Sequence, residues 1–388
     1  MERPSYDGDG LVNLISWLGE ALGGGSGSYP GQDPGDSLEV AQARTVILWV
    51  IDGLGDYELA RHPGSALARD RVRGLTSVFP ATTSAALTSI VTGHPPRGHG
   101  ITGWFMYVHE LGAVTAWLPF GPRVGRGQWT ELEPQSAGLL AREPFWDHLD
   151  AEVHVVQPSW LVNTPYSRAT TGQRACRHGY RGLEGLLETL TGIACAPGQR
   201  RRFVYAYWPE FDALCHQHGT ESAPVQEHFL ALDRAWQRLL DGVRNTGTLV
   251  LGTADHGLID TAPERVLYLE DHPELAETLA LPLCGEPRAA YCYLRSGAEA
   301  DFQAYVRERL GPVCRAVRSE ELLAAGWFGP APEHPQLRRR IGDWTLLPAD
   351  GWVIKDRLVG EGDFAQLGVH GGASAAELWV PLIAARPC

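Results

Sequence analysis

Carboxylates, imidazoles and one hydroxyl that together could hold a pair of metal ions are spread along this chain as Asp52, Thr83, Asp212, His216, Asp255, His256 and His370. Each stands where an apolar run gives way to Gly, Pro or small polar residues, the place where a sheet of parallel strands opens its crevice. The chemistry open to such a set is metal-assisted hydrolysis with a polarised hydroxyl or water as nucleophile. Asp212 and His216 are four apart, so one helical turn aims both at the same point, as a chelating pair requires. Asp255 and His256 are adjacent; within a strand they would face opposite ways, but in the turn beyond it they can converge. His370 precedes Gly371-Gly372, whose backbone permits close approach to a ligand.

Thr83 belongs to a different kind of segment, 79–93, in which Pro80 closes an extended stretch and the hydroxyls of Thr82, Thr83 and Ser84 begin a helix that Gly93 ends. A hydroxyl there sits at the positive end of the helix dipole, which favours an alkoxide and a bound phosphoryl group. Each piece also has a plainer reading. Asp52-Gly53 is an ordinary turn signal, the three hydroxyls are ordinary helix caps, and a histidine in a loop is ordinarily solvated. Independent turns and caps have no reason, however, to supply complementary metal ligands at successive strand ends.

The elements that must position these residues are continuous apolar runs at 45–51, 153–156, 203–208 and 248–252, of the kind buried on both faces of a parallel sheet. Amphipathic segments lie between some of them, notably 224–243 with Phe229, Leu232, Trp236, Leu239 and Val243 on one side. This alternation predicts an α/β fold with a doubly wound, mostly parallel sheet. Between 260 and 350 the texture changes to a strand at 288–294 and helices at 301–310 and 319–325, the last with Ser319 as N-cap, which predicts a small α+β insertion. The expected organisation is therefore an N-terminal docking helix (11–22) and flexible Gly/Ser linker within 1–40, a core at 41–260, the insertion at 261–350, and core completion at 351–388 with the last strand at 378–384.

The chain has 388 residues, 44% hydrophobic, and a formal net charge of −13 without a sustained basic stretch, which argues against a nucleic-acid polymer or an anionic membrane as partner. Its 7 cysteines are scattered and form no CxxC pair, so neither a disulfide framework nor a thiolate zinc site is expected. An acidic start and the lack of an apolar run of spanning length point to a soluble, cytoplasmic protein, and the use of Arg for every basic position except Lys355 to a GC-rich bacterial gene. Arg288 and Arg338-Arg339-Arg340 read as a solvated charged face rather than an anion clamp. Trp104, Phe105, Tyr107, Trp117 and Phe120 suit a leaving-group pocket or ordinary core packing equally well.

Taken together, Asp52-Gly53, the 79–93 segment, Pro95 to His99-Gly100, Asp212-x-x-x-His216-x-x-Gly219, Asp255-His256-Gly257 and His370-Gly371-Gly372 resemble the alkaline phosphatase superfamily, and within it the type I phosphodiesterase/nucleotide pyrophosphatase family, in the family's order from residue 45 to the C-terminus. The resemblance implies an alkaline phosphatase-like fold and two divalent metal ions, zinc by type. Asp212, His216 and His370 would serve one ion, and Asp52, Asp255, His256 and Thr83 the other. It also implies Thr83 as nucleophile and a small phosphorylated substrate, nucleotides included. The expected function is hydrolysis of a phosphodiester or pyrophosphate bond. The alternatives are a phosphomonoesterase, phosphonate hydrolase or sulfatase with the same site, and a non-catalytic metal- or phosphate-binding scaffold. Ala86 stands three residues after Thr83, where the resemblance implies an asparagine that holds a phosphoryl oxygen; preference for nucleotides is therefore left open, as is the oligomeric state.

Overall fold

The strand Thr45–Ile51 lies fourth of seven in a sheet ordered Arg71–Thr76, Trp379–Ala385, Thr248–Thr253, Thr45–Ile51, Arg202–Trp208, Glu152–Pro158, Cys176–Tyr180, in a computed structural model that describes residues 1–24, 29–31, 38–125, 129 and 142–387. All of its side chains are buried because helices cover both faces, which is why the run carries no alternating polar residue. The five strands from Thr248–Thr253 to Cys176–Tyr180 run parallel, and Trp379–Ala385 is antiparallel to both neighbours. The long helix Ala223–Gly242 buries Val225, Phe229, Leu232, Trp236 and Leu239 against the sheet, with Trp236 stacked on Trp49. Each such side chain contributes about 1.5–3 kcal/mol of hydrophobic stabilisation.

Register makes the crevice. Ile51 pairs with Trp208 and Val50 with Thr253, so three central strands end at one level and their next residues emerge side by side. Asp52, the turn into helix Glu210–His218, and Asp255-His256 are those residues.

Two parts of the predicted organisation need correction. The segment 261–350 is not self-contained: its sheet runs Cys314–Arg318, Trp344–Pro348, Ala289–Cys292, Cys284–Glu286, Phe105–Val108, Ala113–Ala116, Gly121–Pro122, antiparallel throughout, so its last three strands come from the chain directly after the nucleophile segment. Those strands are short and rich in Gly and aromatics, which hid them in the sequence. Nor is the N-terminal helix a separate unit. Helix Leu11–Ala21 places Leu11, Leu14, Ile15 and Leu18 in the main core, packs on helix Thr83–Thr92, and is tied down by Asn13, whose amide donates to the carbonyls of Tyr6 and Pro30. The Gly/Ser linker falls largely at 25–28, outside the described residues.

Within the insertion the predicted elements appear as Ala289–Cys292, Glu299–Tyr305 continued by a wider turn over Val306–Leu310, and Ser319–Ala324. Ser319 does not cap: Arg318 is the N-cap and the Ser319 hydroxyl donates to Ile341 O at 2.7 Å. Among the described residues, no helix is long and apolar enough to cross a membrane.

Candidate metal centre and nucleophile

The crevice brings six of the seven sequence-selected side chains together as two clusters, with the Thr83 hydroxyl beside the second. One ligand atom from each of Asp212, His216 and His370 lies within 4.8 Å of the others, and the same holds for Asp52, Asp255 and His256. The clusters adjoin, since the His256 and His370 rings stack with centroids 3.7 Å apart.

Local structure fixes each ligand's direction. Gly53 sits at φ +75 with its backbone against Asp212; a Cβ there would fall 3.0 Å from Asp212 Cβ, so only glycine lets the first strand end run so close to the helix carrying Asp212. Asp255 Oδ1 accepts the N–H groups of Gly53 and His256, each at 3.1 Å, which leaves Oδ2 turned inward. His256 Nδ1 lies 3.1 Å from Gly257 O and His216 Nδ1 lies 2.7 Å from Gly368 O. A carbonyl can only accept, so both Nδ1 atoms carry a proton and both Nε2 atoms face the crevice, the orientation in which a deprotonated Nε2 serves as a metal ligand. Tyr207, next to last in its strand, donates its hydroxyl to Asp52 Oδ2.

Thr83 opens the buried helix Thr83–Thr92, with Thr82 as N-cap by conformation and no side chain capping its first turn. The N-terminal N–H groups are thus left for another acceptor, and the dipole favours an anion there. Thr83 Oγ1 lies 3.1 Å from His256 Nε2, and with that nitrogen unprotonated the hydroxyl donates. The capping role that the sequence allowed for Thr82 is not the one it plays: its hydroxyl donates to Glu286 Oε1 at 2.7 Å.

The electrostatics match a site built for cations. Asp52 Oδ1, Asp255 Oδ2 and Asp212 Oδ1 are buried with no hydrogen-bond partner, a costly arrangement for carboxylates unless a positive charge joins them. Burial, then Asp255 and Asp212, raises Asp52 well above the usual carboxylate range; burial and the neighbouring Asp212 likewise raise Asp255. Burial would also raise Asp212, but His216 outweighs it and holds Asp212 low, while Asp212 overcomes burial at His216 and pushes it up to about 8. Oxygen and imidazole donors in two such groups fit borderline divalent ions such as zinc.

Sequence reasoning missed Tyr207 and Glu286. Glu286 ends a three-residue strand of the second sheet, is buried, and accepts from the Trp104 N–H at 2.6 Å as well as from Thr82; burial pushes its carboxyl up to about 7. Only the Gly-Glu-Pro turn signal marked it in the sequence. Ala86 packs with Tyr6, Val12, Tyr29 and Val78 in a small buried cluster. Of the five aromatics, Trp117 and Phe120 pack in a cluster with Ile101, Met106 and Val108, Phe105 lies under Arg123, Tyr107 packs on Tyr293, and Trp104 is 37% exposed beside Glu286. Arg288 and Arg340 are buried rather than solvated, Arg288 on Glu377 and Arg340 on Glu110 and Gly100 O, whereas Arg338 pairs with Glu320 and Glu333 at the surface.

The fold has counterparts among solved structures. Murine ectonucleotide pyrophosphatase/phosphodiesterase 5 superposes with a TM-score of 0.65 at 16% identity over 87% of each chain, and its inactive variant in complex with AMP with 0.66 at 15% over the same shares. These likenesses show an alkaline phosphatase-like fold. Among curated proteins, rat ectonucleotide pyrophosphatase/phosphodiesterase family member 3 is 26% identical over 210 residues, 52% of this chain and 22% of that protein. Human family member 1 is 24% identical over 208 residues, 52% of this chain and 21% of that protein. The chain thus spans about a fifth of the length of the curated relatives it matches. A family profile described as Type I phosphodiesterase / nucleotide pyrophosphatase matches residues 46–373, from the first core strand past His370 and so across every residue of both clusters. With that match over most of its length, the chain belongs to the type I phosphodiesterase/nucleotide pyrophosphatase family.

Proposed function

We propose that this chain is a metal-dependent hydrolase that cleaves phosphodiester or pyrophosphate bonds through Thr83. The observation that carries the reading is the position of the Thr83 hydroxyl, at the uncapped N-terminus of a buried helix and 3.1 Å from His256 Nε2, beside three buried carboxylate oxygens that lack partners. Asp212, His216 and His370 would hold one divalent ion and Asp52, Asp255, His256 and Thr83 the other. Two such ions, zinc by ligand type, supply Lewis-acid charge at the phosphoryl oxygens and at the hydroxyl.

The chain's own residues do the rest. The helix N-terminus receives the phosphoryl oxygens through its free N–H groups. Tyr207 orients the Asp52 carboxylate. Attack of Thr83 Oγ1 on phosphorus breaks the bond to the leaving oxygen, and water then releases the phosphoryl group from Thr83, so one displacement is divided into two easier ones. The substrate is a small phosphorylated molecule; support for nucleotides comes from the AMP complex of the similar murine structure and the names of the curated relatives. A monoesterase would want a cation for the second charge of a terminal phosphate, and Arg288 and Arg340 are both engaged elsewhere. The net charge and soluble composition support a cytoplasmic bacterial setting.

The test is hydrolysis of bis-p-nitrophenyl phosphate and p-nitrophenyl phosphate by the purified protein, with zinc, after chelation, and as Thr83→Ala. Diester turnover that requires both metal and Thr83 is expected. Turnover that survives chelation and the substitution would refute the mechanism, preference for the monoester would favour the monoesterase, and no turnover on either would favour the scaffold.

A further inference from the structure

Glu286 is a buried carboxylate within one residue of the nucleophile. Its Oε1 holds both the Thr82 hydroxyl and the Trp104 N–H, and among the described residues no Lys or Arg is ion-paired to it. The ionisable groups that act on it most strongly are His216 and Asp212, members of one metal cluster. Its approach is prepared from the far side as well. Gly371, directly after His370, has φ +104, and a Cβ there would fall 2.6 Å from Glu286 Cβ, so the chain keeps glycine at the point where Glu286 enters the crevice. Glu286 thus reaches the site across two sheets, and among the described residues it is given donors but no Lys or Arg ion pair.

A phosphodiester carries one negative charge on its phosphoryl group, whereas a terminal phosphate carries nearly two near neutral pH. A fixed carboxylate held by the residue next to the nucleophile acts on that difference. We propose that Glu286 is a charge filter that sets the substrate class: its carboxylate repels the second charge of a terminal phosphate and directs the site towards diesters. The inference rests on Thr83 being the nucleophile, because that is what places Glu286 beside the reacting phosphoryl group. Cations bound to the neighbouring cluster would favour the ionised form of Glu286 and so maintain the filter. The repulsion of one extra charge in a partly buried site corresponds to a discrimination of roughly tenfold to hundredfold.

The experiment compares p-nitrophenyl methyl phosphate with p-nitrophenyl phosphate, which share a leaving group, on the zinc-loaded wild type, Glu286→Gln, Glu286→Asp and Thr83→Ala. Gln keeps an acceptor for Thr82 and Trp104 and removes only the charge. The diester-to-monoester ratio of kcat/KM is expected to fall roughly tenfold to hundredfold in Glu286→Gln, chiefly through a rise on the monoester, and to stay near the wild-type ratio in Glu286→Asp. An unchanged ratio in Glu286→Gln, or parallel losses on both substrates, would overturn the filter and leave Glu286 a structural support. If Glu286→Gln does not fold, the wild type still decides: equal kcat/KM on the two substrates would refute the proposal. Failure of the underlying reading shows separately, as diester turnover that Thr83→Ala does not reduce.

Discussion

Buried charge is treated in opposite ways at two places in this molecule. Where the second sheet meets the core, Arg288 gives Glu377 two hydrogen bonds, of 3.1 and 2.9 Å, and directs its other donors to the carbonyls of Pro348, Ala349 and Trp352 and to the Asp350 carboxylate. Glu377 in turn accepts from Ser374 and the Gly372 N–H, so every charge there is answered. Arg123 with Asp356 and Glu361 repeats the pattern on the other side of that sheet. In the crevice, by contrast, Asp52, Asp212 and Asp255 each keep a buried oxygen without a partner. Both places bury carboxylates, but only the first can be accounted for as support of the fold. The second retains an electrostatic cost that the chain alone does not offset, which is the mark of a site completed by a ligand.

The largest expected effect lies at the nucleophile. Thr83→Ala should lower kcat on a chromogenic diester by about 10⁴-fold, some 5 kcal/mol of transition-state stabilisation, while the fold and the Tm of the chelated protein remain near wild type. A drop of that size accompanied by loss of fold would instead make Thr83 structural. At the junction the order is reversed. Removing one partner of a buried pair strands the other, so Arg288→Met should cost about 3–5 kcal/mol in chemical denaturation, equally with and without metal, with little change in kcat of the folded fraction. If Arg288→Met abolished activity at unchanged stability, the division into a supporting junction and a working crevice would fail.

What the sequence revealed follows the same division. Strand-end residues were legible because a buried parallel strand is a continuous apolar run and its end is abrupt: Thr45–Ile51 breaks at Asp52 and Thr248–Thr253 shortly before Asp255. Asp212 and His216 were legible through helical spacing, and helix Glu210–His218 provides it. Glu286 and the pairing of Arg288 with Glu377 were not, because each depends on a contact between segments remote in sequence. Glu286 meets Thr82 across 204 residues and Arg288 meets Glu377 across 89, and neither has a periodic signature. The second sheet was obscured for a related reason. Its strands Phe105–Val108 and Ala113–Ala116 are four residues each, too short to separate from loop by alternation. The surroundings of Ala86 were hidden too: its position in sequence was plain, but only the packing of helix Thr83–Thr92 against helix Leu11–Ala21 shows what it lies against.

A smaller effect sharpens the contrast directly. In chelated protein Asp52→Asn keeps an acceptor for the Tyr207 hydroxyl and removes one of the crowded charges, so it should stabilise the apo form by about 1 kcal/mol in denaturant titrations. With saturating zinc the sign should reverse, because the variant has lost a ligand and gains less from binding. A variant less stable than wild type in both conditions would mean that the crevice, like the junction, is held together by its charges.

The smallest effect is in how these differences move with pH. Glu377 lies below the usual carboxylate range: burial opposes this, but Arg288 and the hydrogen bonds from Ser374 and Gly372 prevail. A carboxyl whose folded pKa is depressed contributes stability above its unfolded pKa of about 4.3 and loses it as pH falls through the lower folded value. The advantage of wild type over Arg288→Met should therefore hold from pH 7 to about 5 and shrink only below about 4. Asp52 has the opposite sign. Its folded pKa is raised by burial and by Asp255 and Asp212, so its ionisation penalises the apo fold at neutral pH and is relieved as pH falls through the raised folded value. The disadvantage of apo wild type against Asp52→Asn should thus begin to close at a higher pH than the Arg288→Met gap. Melting curves of the three proteins in chelator, taken stepwise from neutral to acid, separate the two windows. A common window would mean that the two sets of buried carboxylates share one electrostatic environment, and that the unpartnered oxygens of the crevice are no sign of a bound cation.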